Sequence, residues 1–405
     1  MAVGEEMKKE TMEEIRAQIS RELTEHIIPF WMGLRDDEHG GYYGLVNYDL
    51  TVDRRAEKGC ILNSRILWFF SNAYLKLRDE KLLAEAEHAY RFLRDCCEDK
   101  EKGGVFWSVT YDGRVLDGTK HTYNQAFAVY ALSSFYRASG RQEALQLAQE
   151  LFDLIENTCT DAYGYLESFD RNWVLEDNDK LSENGLLADK TMNTLLHVLE
   201  AYTELYLAAP TGKVGTALRR ILRTFREKVY HPQKHRLEVF FDEKLNTISD
   251  LYSYGHDIEA SWLLDRACDV LQDAAVTSET KEYTTKLAQE VYREALSRSE
   301  DLSGVHTAMN NECFKGIVDT TRVWWVQAEA MVGFHNCYEK TGDARYQEIT
   351  AELWEYIKAC IIDKREGSEW FWDVNKNGIP ESRKPIVEPW KCPYHNGRMC
   401  LMLGA

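Results

Sequence analysis

The sequence is short of residues that break or loosen a chain, with 7 prolines and 24 glycines among 405 residues. That count excludes a collagen-like or linker-dominated chain. No apolar run reaches the roughly 20 residues that a membrane helix needs. The first twenty residues, MAVGEEMKKETMEEIRAQIS, lack the apolar stretch of a signal peptide. Lysine and arginine form no cluster, and 49 of them stand against 67 acidic residues, a net charge of −18. Nucleic-acid binding and docking on anionic membranes both need the opposite balance, so neither partner is expected. The ten cysteines include no CxxC pair, and most sit among apolar residues. Reduced, buried thiols and a cytoplasmic location are the expectation. HExxH, EF-hand, Walker A and GxGxxG patterns do not occur in the contexts they require. His231 and His235 have HxxxH spacing, but Pro232 lies between them, so no metal site is expected.

What the chain has in plenty is aromatic residues (11 Trp, 22 Tyr, 15 Phe) and a long-period repeat. Segments that are apolar on nearly all faces begin near residues 59, 122, 188, 254, 322 and 392, at intervals of 63 to 70 residues. CILNSRILWFFSNAYLKL (60–77) and RVWWVQAEAMVGFHNCYEK (322–340) are examples. A helix that is apolar all round is a buried helix. Between them lie segments whose apolar residues recur at three and four, at 81–97, 142–156, 213–230, 281–298 and 344–361, with another at 12–31 opening the chain. That period predicts one-sided helices. Short aromatic runs at 41–50, 103–110, 163–170, 237–242 and 369–374 read as hairpins. Six such units cannot each hide a buried helix alone. The expected fold is therefore all-α. It is an (α/α)6 barrel of six inner and six outer helices with short β-hairpins at one end, a single catalytic domain over 1–405. An open solenoid would need polar capping repeats, and the last segment, WKCPYHNGRMCLML, is not polar.

Unusual polar residues fall in the first turns of the inner helices. They are Arg65, Tyr123 with Asn124, Asn193 with His197, His256 with Glu259, Trp324 and Trp325 with Glu329, and His395 with Arg398. Asn193 with His197 and Trp325 with Glu329 are four apart, and His256 with Glu259 and His395 with Arg398 are three apart, so each of these pairs shares a helix face. If the inner helices run the same way, these faces converge on an aromatic cavity holding three histidines. A single histidine on an apolar helix is ordinarily a hydrogen-bonded core residue, and Arg65 could simply pair with Glu259 or Glu329. Matching positions in three repeats weigh against that reading for His197, His256 and His395. Of the other histidines, which read as surface, outer-helix or loop residues, only His121 could stand behind the site. Two facing histidines can take a proton from one face of a carbon and return one to the other, as on the carbon beside the carbonyl of an open-chain aldose. Arg65, Asn193 and the third histidine would hold the enediolate oxygens, and tryptophans would stack on sugar rings.

Six segments, NSRILWFFSNAY, KHTYNQAFAVYALSSFYRASG, ENGLLADKTMNTLLHVLEAYTELY, SYGHDIEASWLLDRACDV, TRVWWVQAEAMVGF and PWKCPYHNGRMC, closely resemble the cellobiose 2-epimerases of the N-acylglucosamine 2-epimerase superfamily. The resemblance runs from about the first helix to the C-terminus. It implies an (α/α)6 barrel and reversible epimerisation at C2 of the reducing-end glucose of β-1,4-linked disaccharides: cellobiose to 4-O-β-D-glucosyl-D-mannose, lactose to epilactose. It implies no cofactor and no metal. By position, His256 and His395 match the family's acid/base pair and His197 its assisting histidine. Arg65, Tyr123, Asn193, Glu259, Trp325 and Trp390 match its substrate contacts, and Glu329 is added as a further candidate contact. The competing readings are N-acylglucosamine or mannose/glucose specificity in the same superfamily, a glycoside hydrolase using opposed carboxylates, and a non-catalytic binding protein. Segments 103–118, 171–186 and 301–319 are expected to set specificity beyond the reducing-end sugar.

Overall fold

A computed structural model describes residues 10–181, 186–301 and 304–405 of the chain. The expected alternation of buried and amphipathic helices is present. The inner helices are α3 (Cys60–Leu77), α5 (Thr122–Ser139), α7 (Met192–Ala208), α9 (Tyr254–Leu271), α11 (Trp324–Thr341) and α13 (His395–Leu403). The outer helices are α4 (Glu80–Phe92), α6 (Gln142–Thr158), α8 (Gly212–Thr224), α10 (Ala274–Glu294) and α12 (Ala344–Tyr356). The sixth outer helix is α1 (Met12–Arg21), which runs through a π-helical turn at Glu22–Ile27 into α2 (Ile28–Gly33).

Each inner helix packs against the next, and α13 returns to α3, which closes the ring. Each outer helix covers the inner helix before it, and α1 covers α13, so the first segment of the chain sheathes the last. The barrel closes because burying an apolar-all-round helix takes neighbours on both flanks and a cover behind. Outer helices start on side-chain caps: Asp79, Thr211, Asp273 and Asp343 each accept a backbone N–H, and Thr11 with Glu14 forms a capping box. No helix among the described residues is long and apolar enough to cross a membrane.

The hairpins are present but shorter than their aromatic runs suggested, mostly two or three paired residues. The 41–50 run forms only isolated bridges, through Tyr42 and Val46. The segment expected to be helical to residue 298 leaves the helix at Glu294, and Leu296–Asp301 pairs antiparallel with Gly304–Met309. Strand pairing here overrides a helical period. The loops that lead to the inner helices are tied down by buried ion pairs. Lys58 Nζ donates to Asp36 Oδ2 (2.6 Å) and to Gly40 O (2.7 Å). Lys120 does the same to Asp99 (3.0 Å) and Gly103 O (2.8 Å), and Lys190 reaches Asp161 (2.8 Å). Lys391 pairs with Glu369 ahead of α13.

The seam between α9 and α11 is closed by two glycines. A Cβ on Gly255 would lie 2.5 Å from the Trp325 indole, and one on Gly333 would lie 2.5 Å from Ile258 Cγ1 and 2.7 Å from its carbonyl oxygen. The second clash is with backbone, which cannot rotate away. Gly333→Ala is therefore expected to lower stability by about 1–3 kcal/mol, the range for overpacking. Denaturant unfolding measures it, and an unchanged midpoint would mean that the seam relaxes.

Candidate functional site

The first turns of the inner helices do converge. They line a cavity of about 280 Å³ whose wall includes Arg65, Tyr123, Asn193, His197, His256, Glu259, Trp325, Trp390 and His395. Nine of the ten side chains expected at the site thus meet in one place. Glu329 departs from the expectation that it touches substrate. It stands behind the wall, its carboxylate 2.7 Å from Nδ1 of His395. Lys180, Leu181, Trp324 and Trp372 complete the lining. Of the segments expected to set specificity, 171–186 contributes Lys180 and Leu181, while 182–185 lie outside the described residues. The 301–319 segment contributes none of the lining residues, and 302–303 lie outside the described residues.

Each histidine is held from behind. Glu329 Oε1 also accepts from Arg398 Nη2 (2.7 Å), so His395 donates Nδ1–H to it and turns its Nε2 lone pair away from Glu329. His197 Nδ1 lies 2.9 Å from Glu200, which the Tyr394 hydroxyl and Arg398 also engage. His256 Nδ1 is 2.8 Å from the hydroxyl of Ser253, the N-cap of α9. A hydroxyl donates or accepts, so this contact tolerates either tautomer of His256.

Burial holds the His256 imidazole down at about 3, with His197 adding to it. Burial, then Arg398 and Arg65, keeps His395 well below the usual histidine range. His197 is lowered as well, chiefly by burial. All three imidazoles are therefore neutral at pH 7 in the resting site. Trp325 lies between two of them, its ring centroid 4.9 Å from His256 and 5.2 Å from His395.

The acids behind the histidines share one cation. Arg398 bonds Glu200, Glu259 (2.5 Å) and Glu329 (2.7 Å), and Trp262 Nε1 donates to Glu329 at 3.0 Å. Burial pushes the Glu200 carboxyl up, but Arg398 and His197 overcome it and bring it to about 2. Burial raises Glu259 well above the usual carboxylate range, and the neighbouring Glu329 carboxylate adds to the shift. Glu259, Glu329 and His395 are close enough to ligate a metal ion. The Arg398 guanidinium already bonds both carboxylates, so the charge a metal would supply is in place.

Several wall groups are buried without a partner: Glu259 Oε2, Asn193 Oδ1 and Arg65 Nε. Buried polar atoms left unpaired are costly, and a hydroxyl-rich ligand would pair them. The Arg65 side chain lies over the Phe127 ring (4.1 Å) and donates Nη2–H to the Tyr123 hydroxyl (2.8 Å). Trp390 stands beside Tyr123 (5.8 Å) and Trp107 (5.7 Å) on the open side.

Sequence reasoning missed Glu200, Tyr394, Lys180, Leu181 and Trp372. Glu200 had a signal: an acid three residues after His197 on an apolar helix must find a buried partner. Tyr394 directly precedes His395. Lys180 and Leu181 lie on a loop with no period to mark them. His121, read as a surface or loop residue that could at most stand behind the site, is fully buried, with Nε2 3.1 Å from Asn178 Oδ1, and it caps α5.

Residues 40–396 match the N-acylglucosamine 2-epimerase (GlcNAc 2-epimerase) family. The chain is 53% identical over 385 residues to a cellobiose 2-epimerase of Ruminococcus albus, covering 95% of this chain and 97% of that protein. It is 48% identical over 403 residues to a cellobiose 2-epimerase of Eubacterium cellulosolvens, covering 95% and 96%. The crystal structure of a sugar epimerase from a ruminal bacterium superposes with a TM-score of 0.92 at 53% identity, covering 95% and 97% of the two chains. A match that spans residues 40–396, and so reaches from the loop before α3 into α13, leaves one assignment: this chain belongs to the N-acylglucosamine 2-epimerase family.

Proposed function

We propose that this protein is a cellobiose 2-epimerase, inverting C2 of the reducing-end glucose of β-1,4-linked disaccharides such as cellobiose and lactose. The observation that carries the chemistry is the pair His256 and His395, both neutral, flanking Trp325 in one cavity, with Glu329 behind His395. Inversion at C2 requires ring opening, removal of the C2 proton to give an enediolate, and return of a proton to the opposite face. A neutral imidazole with its Nε2 lone pair free is the base this needs. The resting pair takes up one proton from solvent as the substrate is bound, so that in each turnover one imidazole is neutral and the other protonated. The proton from C2 charges the first, the second gives its proton to the other face, and the enzyme is left set for the reverse reaction. The ionised Glu200 carboxylate and the Glu329 carboxylate bonded to His395 Nδ1 offset the charge of that imidazolium. Arg65, Asn193 and His197 hold the oxygens at C1 and C2 as charge develops there. The Glu259 carboxyl, pushed up by burial, offers its unpartnered Oε2 to a sugar hydroxyl.

A hydrolase mechanism fits less well. Inverting and retaining hydrolases place two carboxyls across the scissile bond. Glu259 and Glu329 instead converge on one guanidinium nitrogen. The ten free cysteines, nine of them buried, support a reducing, cytoplasmic setting. No cofactor is required by this chemistry, because the protons moved are carried by imidazoles.

The deciding experiment is incubation with cellobiose in deuterated water, followed by NMR. The product expected is an intact disaccharide with mannose at the reducing end and deuterium at C2. Released glucose, or no exchange, would overturn the reading. His256→Ala and His395→Ala should each lower kcat by at least ~100-fold while the circular-dichroism spectrum stays native. Near-wild-type turnover in either variant removes that residue from the mechanism. Trp390, half-buried in the cavity wall, is assigned to stacking on the sugar. Trp390→Ala should raise KM for cellobiose and lower kcat together, since a misplaced substrate reacts slowly. If both constants stay unchanged and only the melting temperature falls, the indole is packing.

A further inference from the structure

The catalytic cavity occupies only the N-terminal mouth of the inner ring. At the other mouth lies a second cavity, of about 380 Å³. Its walls come from the later turns of the same helices: Trp68 and Lys76 of α3, Tyr130 and Arg137 of α5, Glu204 of α7, Trp262 and Arg266 of α9. Arg398, which grips the three acids of the catalytic site with its terminal nitrogens, also lines this second cavity.

The charge in this cavity does not balance. Among the described residues that line it, Glu204 is the one acid, and it is buried. Arg137 and Arg266 each bond a different oxygen of that carboxylate, Arg266 at 2.7 Å. Lys76 spends its ammonium on the last carbonyls of α13, donating to Leu401 O and Gly404 O at 3.0 Å each. Two arginines thus share one negative charge, and about 30% of each side chain is open to solvent. Two further polar groups have no partner. Arg398 is 2% exposed and its Nε–H is unpaired, and Tyr130 is 1% exposed and its hydroxyl is unpaired. Tyr130 cannot turn elsewhere, because its ring is stacked on Trp68 at 5.3 Å.

We infer that this far-mouth cavity binds a phosphate oxyanion. Such an ion brings negative charge to the arginine pair and offers acceptors to the guanidinium donors and the tyrosine hydroxyl. Planar guanidinium forks match phosphate oxygens in pairs. A chloride ion would meet the charge but is a single small acceptor, whereas the four oxygens of a phosphate reach donors set apart from one another. The shared chemistry is the phosphate group, carried either as the free ion or as a phosphate monoester.

The test is isothermal titration of the full-length protein with inorganic phosphate and, separately, with glucose 6-phosphate, at constant ionic strength set by chloride. One equivalent of phosphate should bind. Arg266→Gln should weaken it by at least ~10-fold, the scale of one lost charge-assisted bond, while Arg137 still pairs Glu204 and preserves the fold. Tyr130→Phe keeps the ring stacked and removes only the hydroxyl, and should weaken binding by ~3-fold or more. Tighter binding of glucose 6-phosphate than of phosphate assigns the site to a monoester, and the reverse order assigns it to the free ion. Absence of heat with both probes, or equal affinity in the wild type and both variants, overturns the site.

Discussion

Arg398 is the interaction on which the centre of this molecule turns. It rises from α13 and bonds carboxylates from α7, α9 and α11, so one guanidinium joins four of the six inner helices at the barrel axis. Taking such a group out of water is expensive, and its Coulombic return is rarely a net gain over well-packed apolar residues. Its retention makes sense as specification. Three acids from three helices can be satisfied by one cation only if the helices sit at one rotation and one height. The same arrangement holds the imidazoles of the cavity, because Glu329 and Glu200 also bond His395 and His197.

Around that centre the loops have little regular structure to hold them. Buried lysines do the holding, with Lys58, Lys120 and Lys190 each tied to an aspartate in the loop that follows the preceding outer helix. Each of these lysines stands two residues before an inner helix, so the tie fixes where that helix begins. The first-turn residues that face the cavity, such as Tyr123 and Asn193, inherit their positions from it. Stability and site geometry are in this sense the same construction, with the closed ring burying the apolar helices and the lysine ties setting their phase.

The ring was legible because its period is long and its inner helices are apolar on every side, which no surface helix tolerates. The site was legible for the same reason, since an arginine or histidine in such a helix stands out. Glu329 was noticed but misplaced, because a sequence shows which face a residue occupies and not how deep it lies. Glu200 and Tyr394 were hidden by the louder histidines beside them. The end of α10 was misread because residues 281–298 keep a helical period, while Leu296–Asp301 obeys its pairing with Gly304–Met309. For Leu296 to Arg298, that preference arises from partners 9 to 13 residues away and leaves no local mark. Lys180 and Leu181 lie on a loop, where position is set by the tie from Lys180 to Asp117 (2.9 Å) and not by any periodicity.

That loop bears on how one barrel can serve several sugars. The histidines, Arg65 and the acids sit deep, on helices joined by Arg398, and in the mechanism proposed above they act on the end of the sugar that opens. Trp390, Trp372, Lys180 and Leu181 come from loops and hairpins, which can change without disturbing the ring. The Lys180 ammonium, 5.3 Å from the Trp107 ring and bonded to Asp117, joins residues of two neighbouring hairpin loops. A second sugar unit extending from the reaction centre must pass this rim, where aromatic faces and a fixed cation offer stacking and hydrogen bonds. On the proposed mechanism, selectivity for a disaccharide over a monosaccharide would come from these rim contacts, because binding energy gained there is spent on positioning C2 between the histidines.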